Sequence, residues 1–232
     1  MTDAPRWKDE SFWADISEKL VSVALAAAVV LTAWSGFQAS KWSGVQANSY
    51  AAAGATRTES IRLSNLAGQQ AQIDVSLFVD WVAAIFDEIE AGTVTLGNAA
   101  EYRPDRGSLS GFLFLRMRDE FKPAIEAWLA TDPINNDDAP ASPFAMDEYR
   151  LAAQEQADAL RAEAEALSQT AREANQTSDN YVLTGVLFAG VLFFGGIANS
   201  LKKMQNRMVV LAIAILILVA SAFVLLRFPI EI

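Results

Sequence analysis

Cysteine and histidine are both absent from the 232 residues. Without cysteine no disulfide can form, and thiolate chemistry is excluded. Without histidine, imidazole metal sites and triads built on His are excluded too, which leaves carboxylates, hydroxyls, amides and backbone groups. Positive charge is also scarce: 18 Lys and Arg stand against 28 Asp and Glu, a net charge of −10. A basic face for nucleic acid is not expected on such a chain. No phosphate-binding loop, nucleophile elbow or dinucleotide fingerprint occurs. Acidic pairs such as Asp87-Glu88 and Asp147-Glu148 read as surface charge, so no enzyme activity, cofactor or metal is expected.

Three stretches lack charge almost entirely. Leu20 to Ser35, Tyr181 to Leu201 and Met208 to Phe228 contain no Asp, Glu or Lys, and their one Arg is Arg227 at the far edge. The last two are long enough to cross a hydrocarbon core of about 30 Å, and Ile16 and Phe37 extend the first to a plausible span. A cleaved signal peptide is the rival reading of the first. Its leading region is long and mixed in charge, and Trp34 and Phe37 crowd the small residues, which favours an uncleaved anchor.

Orientation follows from KKMQNR, Lys202 to Arg207, which holds three cations and no anion; short loops of this kind stay cytoplasmic. Arg6, Lys8 and Lys19 agree. The expected organisation is a cytoplasmic segment over 1–19, a first transmembrane helix over 20–39 and an extracytoplasmic helical domain over 40–180. A second transmembrane helix over 181–201, a cytoplasmic loop over 202–207, a third transmembrane helix over 208–228 and an extracytoplasmic tail over 229–232 follow. The fold class is all-α, with an antiparallel helical bundle or coiled-coil hairpin between the first and second spans.

The exterior region carries the acidity. Residues 41–180 hold 11 Lys and Arg and 22 Asp and Glu, a difference of −11, which reads as a solvated helical surface. Leu63, Leu66, Ile73, Leu77, Trp81, Ala84 and Ile85, with Gln70 as the polar step, predict a long amphipathic helix. It is expected to begin before Val45, continuous with the first span, and to stop near Ala91-Gly92. Phe114, Met117, Phe121, Ile125 and Trp128 predict a second helix from Ser110 to about Leu129, kinked at Pro123. The loop TDPINNDDAPASP, Thr131 to Pro143, presents Asn135 to Asp138 to a calcium ion only weakly: the EF-hand spacing and closing Glu are missing, so it reads as a polar loop.

Ala153, Ala157, Leu160, Ala164, Leu167, Ala171, Ala174, Ser178 and Tyr181 step by four and three without a break. Such a seam wants a partner, and its small residues permit close approach. One helix is expected from about Pro143 to Ser200, antiparallel to the first.

The sequence element with least precedent in simple periodicity is WSGFQASKWSGVQA, residues 34–47, where nearly the same seven letters recur after Lys41. On a helix, residues eight apart differ by about 80° in azimuth and about 12 Å in height. Trp34 and Trp42 then lie near an interface, where indole is favoured. Gly36, Ser40 and Gly44 form one small-residue stripe that lets another helix approach. Gly185 with Ala189, and Gly196 with Ser200, repeat that pattern in the second span. The alternative gives Gln38 and Gln46 a polar role, lining a pore or binding a lipid headgroup.

The duplicated WSGFQAS and WSGVQAN, together with FKPAIEAWLATDPINN, PFAMDEYRLA and NYVLTGVLFAGVLFFGGI, resemble a group of uncharacterised bacterial multi-pass inner-membrane proteins. The resemblance covers most of the chain and implies a bacterial inner-membrane location, with no activity to carry over. A looser similarity of architecture is to chemoreceptor-type sensors, from which this chain departs in having only six residues between its last two spans. The expected partners are the lipid bilayer and either a second copy or another membrane protein. The expected function is a non-enzymatic scaffold or interaction subunit; a sensory input subunit and a homo-oligomeric channel are the alternatives. No span carries an ionisable residue near its middle, which weighs against a proton- or ion-coupled carrier.

Overall fold

The computed structural model describes residues 10–232, with side chains from Asp15 onward. Arg6 and Lys8, which entered the orientation argument, lie outside the described residues. Among the described residues every regular element is helical: α1 (Glu10–Glu90), α2 (Leu109–Arg116), α3 (Lys122–Ala130), α4 (Ala152–Ser200) and α5 (Met204–Leu225). Short 3-10 turns lie at Ala99–Glu101 and Pro143–Ala145. Helices α1, α4 and α5 contain stretches long and apolar enough to cross a membrane. The chain is thus an all-α membrane protein.

The duplicated element over residues 34–47, an octet repeated with small changes, lies wholly inside α1, which runs on for 81 residues. It ends where Gly92 takes a left-handed φ of 68°. There the Thr93 N–H reaches the Glu88 carbonyl and the Gly92 N–H reaches that of Ile89, at 3.0 Å each, so the last carbonyls stay satisfied.

Two expected helices are shorter than their periodicity suggests. The single kinked helix over Ser110 to Leu129 is instead the pair α2 and α3, because Met117 is extended with ψ 149°. Pro123 sits in the first turn of α3. In that place its missing N–H leaves no carbonyl unpaired, whereas in a continuous helix it would break an interior bond. The helix expected from Pro143 begins at Ala152. The residues before it form a 3-10 turn and an irregular run that carry Phe144 and Tyr149 into an aromatic core. The link expected over 202–207 is also tighter, since α5 starts at Met204.

The described residues divide into two compact units, those up to Ala53 together with Glu165–Ile232, and Gly54–Ala164. In the first, α1 and α4 pack antiparallel and α5 completes three layers of small and branched residues. Ser178 Oγ donates to the Ala39 carbonyl at 2.9 Å, and Ser43 Oγ lies 3.0 Å from Ser178 Oγ. Among the glycines of α4, Gly195 comes nearest to α1, where a Cβ would lie 2.7 Å from Leu25 Cδ2. The outer faces expose Val23, Val30, Val186, Phe193 and Leu216, as a lipid-facing surface would.

In the second unit the same antiparallel pairing recurs, with Ser60 Oγ donating to the Ala157 carbonyl at 2.7 Å. Of the predicted seam of α4, Ala157 and Ala164 are buried in this unit and Ala171, Ala174, Ser178 and Tyr181 in the first, while Leu160 and Leu167 are half-buried. The predicted stripe of α1 needs correction. Leu66 and Ile73 are exposed, while Ala67 and Asp74 take the inner face beside Leu63, Trp81, Ala84 and Ile85. Beyond them lies a core of Trp81, Tyr102, Phe114, Phe121 and Ile125, with Phe78, Trp128, Phe144 and Tyr149 packed around it. Phe121 stacks on Phe144 at 5.2 Å, and Phe144 meets Tyr149 edge to face at 5.0 Å.

Candidate functional site

The duplicated octet holds the C-terminal tail. Gln38 is fully buried. Its Nε2 donates to the Glu231 carbonyl and its Oε1 accepts from the Glu231 N–H, each at 3.0 Å. One turn along α1, Trp42 Nε1 donates to the Pro229 carbonyl at 3.1 Å. Tyr181, on α4, donates its hydroxyl to that same carbonyl at 3.0 Å and packs edge to face on Phe228 at 5.2 Å. Proline at 229 offers a carbonyl but no N–H, so two donors converging on it leave no backbone donor there to satisfy. Three side chains from two helices therefore fix the four residues Phe228 to Glu231. A side-chain amide suits Gln38 because it alone offers a donor and an acceptor side by side to an extended backbone.

The small residues singled out in the sequence lie mostly on the other side. At about 100° per residue, Ser35, Gln38, Ala39 and Trp42 share one face of α1, and Gly36, Ser40 and Gly44 fall roughly opposite. All three are exposed. A Cβ added at Gly36 or Gly44 would meet nothing within 4 Å. Of the three candidates on α4, Ala189 and Gly196 are likewise exposed and Gly185 backs onto α1, 3.7 Å from Ser35 Cβ. Trp34 is 40% exposed and leans on Phe37 at 5.9 Å. Of the eight candidates, then, Trp42 and Gly185 join packing within the chain. The glycine that α1 crosses most closely is Gly195, one residue from the candidate Gly196.

The second unit holds two buried polar networks. Asp74 is fully buried on α1 and accepts a bidentate pair from Arg118, at 3.0 Å from Nε and 2.6 Å from Nη2. Tyr149 adds a third donor at 3.2 Å, and Arg118 also reaches Glu120 at 2.8 Å. This ties α1 to the break between α2 and α3 and to the run entering α4. Burial and the neighbouring Asp74 charge push the Tyr149 phenol up to about 12. The other network is a relay of donors: Trp81 Nε1 to Tyr102 at 3.1 Å, Tyr102 to Ser110 at 3.2 Å, and Ser110 Oγ to Glu88 at 2.7 Å. Burial holds the Tyr102 phenol above its ordinary value. Glu88 also accepts from the Ser110 backbone N–H at 2.9 Å, which caps the start of α2 from another helix.

The polar loop is organised by its own amides. Asn135 Nδ2 donates to the Gly97 carbonyl and to the Asp132 carboxylate, and Asn136 Nδ2 donates to the Thr131 carbonyl. Among the described residues no group of three or more Asp and Glu is placed to hold a metal ion.

Comparison with protein-family models, with curated proteins and with solved structures gives no match to this chain.

Sequence reasoning singled out Gln38, but for a pore or a headgroup. Its true neighbour lies 193 residues away, beyond any local pattern. Asp74 was missed because an acidic residue on a hydrophobic stripe looks like a register error. The available signal was its position, seven residues before Trp81 on the same face.

Proposed function

We propose that the chain is a non-enzymatic membrane assembly subunit, anchored by three helices in a bacterial plasma membrane. Its N-terminus lies in the cytoplasm, with residues 40–180 and the C-terminus outside. It joins a second copy, or another membrane protein, through helix faces lined by small residues. The observation that carries this reading is the division of labour around α1. One face is filled by α4 and by the tail, and the opposite face, with Gly36, Ser40 and Gly44, is left open to another backbone. Ala189 and Gly196 extend the same character on α4.

The test is the mass of the protein in native lipid discs. The parent is expected to be oligomeric or bound to a partner, and Gly36→Leu with Gly44→Leu should weaken association by about 1 to 2 kcal/mol, the scale of close-packed membrane contacts. A monomeric parent overturns the reading. Current across a reconstituted bilayer would move it to the channel class. The sensory reading keeps one point in its favour, an apolar cavity in the second unit.

A further inference from the structure

In the second unit, α1, the Ala99–Glu101 turn, α3 and the loop after α3 line an open-mouthed cavity of about 520 Å³. That volume lies within the range of small-molecule sites, roughly 300 to 1,000 Å³. Its walls include Phe78, Trp81, Phe86, Tyr102, Trp128 and Ile134, and no charged side chain lines it. The donors its aromatic walls carry are already engaged with protein. Trp81 Nε1 and the Tyr102 hydroxyl belong to the relay toward Glu88, and Trp128 Nε1 donates to the Pro140 carbonyl at 2.7 Å. The mouth is apolar as well: Val79, Phe86 and Ile134 line it and are each more than half exposed.

These features point to one occupant chemistry. Water inside gains few partners from walls whose donors are taken, and apolar cavities of this kind take up hydrocarbon in preference to water. A charged ligand would lose its hydration and meet no counter-charge. We infer that this cavity is a binding site for a neutral, hydrocarbon-rich small molecule, held by ring faces and edges and not by hydrogen bonds. Phe78 against Trp128, at 5.3 Å and 80°, and Trp81 against Tyr102, at 5.2 Å and 85°, set two pairs of those rings near right angles, so a planar or alicyclic body meets both face and edge.

The experiment uses the full chain in lipid discs, labelled with 5-fluorotryptophan. Its six tryptophans give separate fluorine resonances, assigned by single Trp→Phe changes. Titration with the neutral probe N-phenyl-1-naphthylamine should move the Trp81 and Trp128 resonances to saturation. The Trp34 and Trp42 resonances should move, if at all, in proportion to probe dissolved in the bilayer. Val82→Phe and Ala141→Phe, both at the cavity wall, should each weaken the saturable shift about tenfold or more. Two sites are used so that one misfolded variant, recognised by collapsed resonance dispersion, leaves the other to decide. Shifts that never saturate, or saturable shifts unchanged in a folded blocking variant, overturn the inference. So does a parent whose Trp81 and Trp128 resonances respond to bromine-labelled lipid chains without probe, since the occupant would then be the bilayer itself.

Discussion

Gln38 and Glu231 face each other as a closed pair, side-chain amide to backbone amide, with both bonds at 3.0 Å. The pairing fastens residues 228–231 to α1. Replacing Gln38 by Leu keeps the bulk and removes both bonds, and should cost about 1 to 3 kcal/mol, since two hydrogen bonds are lost where water reaches only in part. Because the chain has no cysteine, Ile230→Cys provides a unique spin-label site. Label mobility should rise sharply in the Gln38→Leu background and change little with Gln46→Leu. Equal mobility in all three would mean that the tail is held by something other than this amide.

The Tyr149 phenol, pushed up to about 12 from an ordinary value of 10.0, makes stability fall in alkali. The unfolded chain releases this proton first. Its contribution is therefore complete below about 10 and lost as the pH rises toward about 12. Near-ultraviolet dichroism should report the aromatic core loosening across that window. Tyr149→Phe should flatten the difference between neutral and alkaline thermal stability, while lowering neutral stability through loss of its bond to Asp74. A Tyr149→Phe protein with the parent's alkaline slope would assign that slope to other tyrosines.

Gly111 admits no larger residue. A Cβ there would lie 1.8 Å from the Asp105 carbonyl oxygen, which is backbone and cannot swing aside. Gly111→Ala should destabilise the second unit by about 3 kcal/mol, the upper end for overpacking. Gly68→Ala, exposed within α1 with nothing near its Cβ, should stabilise by about 0.5 to 1 kcal/mol. Thermal unfolding in discs separates the two. Equal responses would show that the turn before α2 relaxes freely.

Topology is testable without any purified protein. A reporter fused after Ile232 should read as external and one inserted at Met204 as cytoplasmic, following the cations of Lys202, Lys203 and Arg207. A cytoplasmic C-terminus would reverse the orientation of the whole proposal.

Much of the helical skeleton was legible because its signals are local. The apolar runs fall inside three long helices and most of the α4 seam is covered, and Gly92 ends α1 as its sequence suggests. Errors fell where long-range contacts overrule local pattern. Phe114, Met117 and Phe121 keep helical spacing across a break, because each is buried in the same core from either side of it. Phe144 and Tyr149 leave a helical frame for the same reason. Asp74 occupies an inner position that only the Arg118 fork makes tolerable, since a buried carboxylate without a partner would be strongly unfavourable. In the octet, spacing alone identified two faces of α1 but could not say which one the chain itself would cover.

The 193-residue interval between Gln38 and Glu231 also has a meaning in time. At ribosomal speeds of about 5 to 20 residues per second, the amide is made about 10 to 40 s before its partner. Throughout that interval α1 carries an open donor and acceptor at Gln38, which water or another polar group must satisfy. The contacts of residues 228–231 can therefore form only after α5 has been made. A polypeptide truncated just before Phe228 would keep its helices while Gln38, Trp42 and Tyr181 lost the backbone partners they hold here.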